Sequence, residues 1–243
     1  MDASFVAWHY DFGSMGGGGY ASFFNSLRMA VYTAFCGCVT AFFSAYVLEK
    51  FREFPRMRQI CGQLSLLPMA LPGLVIGLAH ILFNKPGWEV LGLFIPNPLT
   101  SLYGTMGILV LSNLIYFHTV SFLTASTALR QLDHQFESVS ESLSAPFTRL
   151  FLKVTVPVCL PAILEIGYYF FVRAMTTLSA VIFLYSAALP IAVVAVANMG
   201  DAGDTAPALA MCVLIVATNL AARLLYGALT SGLKKRTSAW ARR

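Results

Sequence analysis

An all-α, polytopic membrane helix bundle is the fold class this sequence predicts, with about five transmembrane helices plus cytoplasmic coupling helices. Three observations carry that prediction. Of 243 residues, 58% are hydrophobic and only 11% charged, with a mean hydropathy of +0.72. A soluble domain carries about 25% charged residues, so this chain cannot cover a water-facing surface. The apolar residues also gather into runs long enough to cross a hydrocarbon core of about 30 Å. Finally, the Lys and Arg residues fall between those runs in alternating excess.

Taken in order, Met1 to Tyr20 reads as an irregular extracytoplasmic lead-in (residues 1–20). Its four glycines, Gly16 to Gly19, lack the following Lys-Ser/Thr of a phosphate-binding loop. It has neither a basic segment nor an apolar run of signal-peptide type. Leu27 to Leu48 is the first span, with Asn25 and Ser26 placed as its helix start. Ile60 to Phe83 is the second, and Pro68 and Pro72 should kink it. Lys85 to Thr100 reads as a short loop along the opposite interface. Leu102 to Leu123 is the third span, and Pro157 to Tyr185 the fourth, longer than a crossing needs. Ala188 to Val196 is apolar but short, suited to a broken or re-entrant helix. Asp204 is a natural N-cap for the fifth span, Ala206 to Leu229, with Pro207 in its first turn. A basic cytoplasmic tail closes the chain over residues 233–243.

Loops rich in Lys and Arg stay in the cytoplasm. The segment after span one holds Lys50, Arg52, Arg56 and Arg58. The segment after span three holds Arg130, Arg149 and Lys153, and the tail holds Lys234, Lys235, Arg236, Arg242 and Arg243. The intervening loops hold Lys85 alone, or Asp201 and Asp204 with no base. The expected orientation is N-terminus outside and C-terminus cytoplasmic. A translocated N-terminus with no helix ahead of it points to a missing first helix, or to the second half of a longer protein.

Leu132 to Glu165 is the polar exception. Leu132, Phe136, Val139 and Leu143 recur at helical spacing, opposite Glu137, Ser140, Glu141 and Ser144. Ala145-Pro146 breaks that helix, and a second short one runs from Phe147 towards Pro157. Two short helices with a bend between them read either as a polar loop at the headgroups or as a docking element for a soluble partner.

At this point the chain resembles the permease subunits of bacterial ABC importers of the binding-protein-dependent type I family. Their cytoplasmic loop has the pattern E-A-A-x-x-x-G-x(9)-I-x-L-P. Here Val154-Thr155-Val156-Pro157 stands at its ending, Ser144 at the glycine and Ser138-Val139-Ser140 at E-A-A, with glutamates displaced to Glu137 and Glu141. Asn25-Ser26-Leu27 resembles the opening of the family's domain, and the likeness runs over roughly residues 20 to 232. AMTTLSAVIFLYS and NMGDAGDTAPA look most like the 2-aminoethylphosphonate branch, with iron(III) permeases close behind. The resemblance implies an importer transmembrane domain over residues 21–232, with a coupling loop at 131–157. It implies as partners an ABC ATPase, a periplasmic solute-binding protein and a second permease bundle, in the bacterial inner membrane. The coupling residues it implies are Phe136, Glu137, Glu141, Leu143, Ser144, Phe147, Arg149, Phe151 and Pro157.

Polar residues at membrane depth usually face a bundle interior or a wet cavity. Glu165 and Arg173 are named on that ground as pathway candidates, with Thr176, Thr177 and Ser179 beyond them. They read equally as a headgroup-level carboxylate and an arginine bonded to a neighbouring span. Asn113 and His118 are weaker candidates. No catalytic residue, cofactor or metal site is expected: the five cysteines sit in apolar runs without CxxC spacing, and no Walker A, GxSxG or HExxH occurs. An enzyme is therefore not expected, ATP hydrolysis belonging to a partner. The basic residues form no patch with interleaved aromatics, so nucleic acid is not an expected partner. An ATP-independent carrier or channel explains the spans as well, but not the helix pair ending in V-T-V-P.

Overall fold

The computed structural model describes residues 19–50, 55–83, 87–90, 93–132, 151–186 and 188–240. Among the described residues the structure is mainly helical, with one small hairpin and an irregular stretch after Thr176. Its long helices are α1 (Gly19–Lys50), α4 (Met106–Arg130), α5 (Leu160–Thr176) and α7 (Thr205–Trp240). Shorter ones are α2 (Pro55–Ala70), α3 (Gly73–Phe83) and α6 (Ala192–Asp201). Alone, α1, α4 and α7 are each long and apolar enough to cross a bilayer. Two bent pairs bring the candidate spans to as many as five if each pair is one span. One is α2 with α3, bent by 108°; the other is Phe151–Val158 with α5, bent by 65°.

Each break follows from local chemistry. Between α2 and α3 stand Leu71 and Pro72; proline cannot donate to the helix ladder and excludes helical geometry from the residue before it. The Val75 amide then restarts α3 on the Pro72 carbonyl at 3.0 Å. The expected kink is thus a sharp turn. Ahead of α5, Phe151–Thr155 forms a wide π-type turn and Val156–Val158 a single short one. In place of the expected loop at Lys85 to Thr100, strands β1 (Gly87–Val90) and β2 (Leu93–Pro96) pair antiparallel, Trp88 opposite Ile95. Trp, Val, Phe and Ile favour strands.

The largest correction concerns the fourth span. Pro157 to Tyr185 is not one helix: α5 ends at Thr176, and residues 177–191 run through turns and an isolated bridge between Ser186 and Leu189. Ala180, Val181, Leu184 and Ile191 in that segment are fully buried. Irregular backbone at membrane depth must find hydrogen-bond partners within the protein, and here side chains supply them. Ser112 donates to the Ala180 carbonyl at 3.0 Å, and Asn25 to the Pro190 carbonyl at 3.1 Å. The Ala192 amide at the start of α6 donates to Ser26 Oγ at 2.8 Å. Asn25 and Ser26 do not begin a helix as expected; they lie inside α1, which starts at Gly19, and they hold the broken segment instead. The short apolar run at Ala188 to Val196 becomes the approach to α6. Asp204 does directly precede α7, and the helix continues past Leu229 to Trp240.

Helix α1 is central, packed along both α4 and α5. Two buried clusters result. One joins Met29, Ile108, Met175, Val181, Leu184, Ile191, Met199 and Met211; the other joins Phe42, Tyr46, Phe117, Phe122, Ile166 and Phe170. Close approach of α1 to α5 depends on Gly37, because a Cβ there would overlap the Phe170 ring. Gly167 faces Cys38 in the same seam, with a Cβ standing 3.0 Å from its sulfur. Small residues of this kind let membrane helices meet backbone to backbone. Gly37→Ala should therefore lower stability by about 1–3 kcal/mol, read as thermal unfolding in detergent. Gly227→Ala on α7, with open space around the added methyl, should be neutral or gain up to about 1 kcal/mol.

Candidate functional site

Two polar constellations stand out in a molecule that is otherwise apolar. The first ties together the ends of three helices. Glu49, at the end of α1, accepts from Arg58 Nη2 on α2 at 2.8 Å, and from Arg130 Nε at the end of α4 at 2.8 Å. Ser126 Oγ donates to the same carboxylate at 2.6 Å. The Glu49 side chain is 15% exposed, enough shielding for charge-assisted bonds to matter. This knot gathers the basic segments that follow spans one and three at one end of the bundle.

Segment 133–150 leaves directly from that end. The expected coupling residues Phe136, Glu137, Glu141, Leu143, Ser144, Phe147 and Arg149 lie outside the described residues. The far end of the segment is described. Phe151 is half-buried, its ring 4.6 Å from Tyr46 and 6.1 Å from Phe42. It therefore clasps the loop's exit to α1. Pro157 is exposed within the short turn before α5.

The second constellation lies at membrane depth on α5 and α7. Glu165, Tyr168, Tyr169, Val172, Arg173, Arg223 and Tyr226 line a hollow of about 190 Å³. The Tyr168 and Tyr226 rings stack at 5.1 Å and 19°, and the Arg223 guanidinium lies 5.5 Å from the centre of each. Arg173 sits over Tyr169 at 5.5 Å. A larger hollow of about 580 Å³, bounded by Thr124, Thr127, Gln131, Pro161 and Thr230, shares Glu165 and Tyr226 as walls. The two hollows, both lined by apolar as well as polar side chains, adjoin at Glu165 and Tyr226.

Glu165 and Arg173, too far apart along one helix to pair, are brought into one cavity. Thr176 and Thr177 are not part of it: the Thr176 hydroxyl bonds back to the Val172 carbonyl at 2.9 Å, and Thr177 ends α5 in extended geometry. Ser179 packs where Gly73 leaves room at the start of α3. Asn113 is fully buried, its amide nitrogen 3.6 Å from Met29 Sδ. His118 stacks on Phe122. Arg223, Tyr168, Tyr169 and Tyr226 are members the sequence reading missed. An arginine inside the run Ala206 to Leu229 was the available signal, since the rule that singled out Arg173 applies to it equally. Among the described residues no group of three or more His, Cys, Asp or Glu side chains could hold a metal ion.

A helix bundle with three candidate spans, up to five if each bent pair counts as one, and an irregular buried segment between α5 and α6 defines a multi-span membrane protein. Residues 37–235 match the family described as binding-protein-dependent transport system inner membrane component, and the chain belongs to that family. It is 30% identical over 174 residues to a protein of Haemophilus influenzae named as a ferric transport system permease, FbpB 1, covering 70% of this chain and 25% of that protein. It is 27% identical to the ferric transport system permease protein FbpB of Actinobacillus pleuropneumoniae, covering 86% of this chain and 28% of that one. With a protein of Salmonella typhimurium named for 2-aminoethylphosphonate transport, PhnV, it shares 27% identity over 63% of this chain and 54% of that one. The chain therefore spans about a quarter of the two ferric relatives and about half of PhnV.

Glu49→Ala would leave Arg58, Arg130 and Ser126 without their common acceptor. The expected loss is about 1–2 kcal/mol, given that Arg130 is largely solvated, with Glu49→Gln losing less. Thermal unfolding of the detergent-solubilised protein measures both.

Proposed function

We propose that the chain is a permease subunit of an ATP-driven importer. It forms the solute pathway across the inner membrane and couples through residues 131–157 to a separate ATPase. A periplasmic binding protein delivers the solute, and a second bundle, identical or different, completes the pathway. The transported solute in this reading is 2-aminoethylphosphonate. The family match over residues 37–235 carries the reading. Arg173 and Arg223, lining a hollow within candidate spans, support it, because a purely structural bundle has no use for two arginines there.

The orientation proposed is N-terminus outside and C-terminus cytoplasmic. The Glu49 knot supports it by drawing the basic segment after α1 and the basic end of α4 to one side. On that side the 131–157 segment meets the ATPase. Closure of an ATPase dimer on ATP moves a docked helix pair as a rigid body. Phe151, held against Tyr46, passes that movement to α1, and the short turn at Pro157 passes it to α5. Phe147 supplies an aromatic anchor and Glu141 sets register.

Phe147→Asp and Glu141→Arg are expected to insert normally, yet to lower ATPase co-purification and uptake at least tenfold. Detergent pull-down of the tagged chain, made together with its ATPase, is the measurement. Normal uptake by both variants would sink the docking assignment.

A further inference from the structure

The membrane-depth cluster on α5 and α7 has a charge character of its own. Arg173 lies thirteen residues beyond Leu160, roughly 20 Å along the helix at 1.5 Å per residue. The Arg223 head is level with Tyr168, whose ring it covers, roughly 12 Å along the same helix. Both lie within helices that are candidate membrane spans, Leu160–Thr176 as half of a bent pair and Thr205–Gly232 alone. Both are exposed on the surface of the single chain. An arginine at that depth is not left against lipid tails; it faces a wet cavity or another bundle.

Stacking matters for what these arginines can do. A guanidinium carries five N–H donors, more than contact with a tyrosine ring or hydroxyl can use, which leaves donors for a planar or tetrahedral oxyanion. Among the described residues the ion pairs are those of Glu49 with Arg58 and Arg130; neither Arg173 nor Arg223 has a carboxylate partner there. The hollow they share is about 190 Å³, below the range of about 300–1,000 Å³ for drug-sized ligands. That suits a solute of a few heavy atoms. Glu165 stands at the opposite end of the wall, where this hollow meets the larger one.

We propose that Arg173 and Arg223, each stacked on tyrosine, form an oxyanion station in the solute pathway, with Glu165 receiving an ammonium group at the other end of the same solute. The station rests on the permease reading and narrows it. It takes a small zwitterion with an anionic phosphonate head, and it rejects a bare ferric ion. Two fixed positive charges repel that cation, and no cluster of acidic, His or Cys ligands is present among the described residues to hold it.

The test uses cells making the full chain with its ATPase and binding protein, and follows uptake of radiolabelled 2-aminoethylphosphonate and of iron(III). Wild type should accumulate the phosphonate. Arg173→Gln and Arg223→Gln should each lower that uptake at least tenfold, with the Lys variants intermediate, while ATPase co-purification stays at the wild-type level. Glu165→Gln should abolish the wild-type preference for 2-aminoethylphosphonate over methylphosphonate in competition; an unchanged preference overturns the Glu165 part. Uptake of iron(III) in place of the phosphonate overturns the station and leaves the permease reading standing. So do Gln variants that transport within twofold of wild type, or that lose ATPase co-purification together with uptake. Failure of the wild-type chain to co-purify with the ATPase overturns the permease reading, and the station with it.

Discussion

Everything central in this bundle depends on hydrogen bonding the backbone of residues 177–191 where no water can do it. An unsatisfied peptide group in hydrocarbon costs several kcal/mol, so groups that the segment's own turns leave unpaired must be met by side chains. Ser112, Asn25 and Ser26 meet it. Each such bond is worth only about 0.6 kcal/mol net in a membrane, but its loss would leave a buried carbonyl or amide stranded. That asymmetry explains why α1 and α4 carry polar residues on faces that are otherwise apolar. It also fixes the packing: α1 must lie within side-chain reach of Pro190 and Ala192, and α4 within reach of Ala180.

The same segment explains the glycines around it. Gly73 gives Ser179 and Tyr116 their room, and Gly77 brings α3 to the Ala180 carbonyl, its would-be Cβ only 3.2 Å away. The re-entrant turn and the broken second span therefore pack against each other, two interruptions sharing one interior. At the other end, α1 and α5 meet through Gly37 and Gly167. A seam of small residues permits close contact along its length and resists shear only through shape. The Glu49 knot supplies directional contacts that the seam lacks.

Much of the architecture was legible in the sequence because bilayer thickness acts on composition and run length alone. As many as five crossings, the break at Pro72 and a short interrupted segment near Leu189 were all readable from run length and proline. What was not legible depended on tertiary partners. Asn25 and Ser26 have the composition of a helix cap, and nothing local reveals that they serve Pro190 and Ala192, about 165 residues away. Apolar residues 177–185 look like more helix, since periodicity cannot register a chain that turns within a buried site. Tyr168 and Tyr169 pass for ordinary aromatics until Arg223 on another helix is placed over one of them.

The positions of the two polar constellations bear on how such a bundle could work. Glu49, Ser126 and Arg130 sit where the 133–150 segment leaves the bundle, and Phe151 sits where it returns. Both attachments lead to helices that wall the hollow: α4 contributes Thr124 and Thr127, and α5 contributes Glu165. In the proposed coupling, a push on the segment would reach two of the hollow's walls at once. The salt-bridged and the aromatic contact both run through α1, which carries Glu49 and Tyr46. Relative motion of α4 and α5 changes the width of the space that Glu165 and Tyr226 divide. Glu165 stands at that division, lining both the larger hollow and the one walled by Arg173 and Arg223.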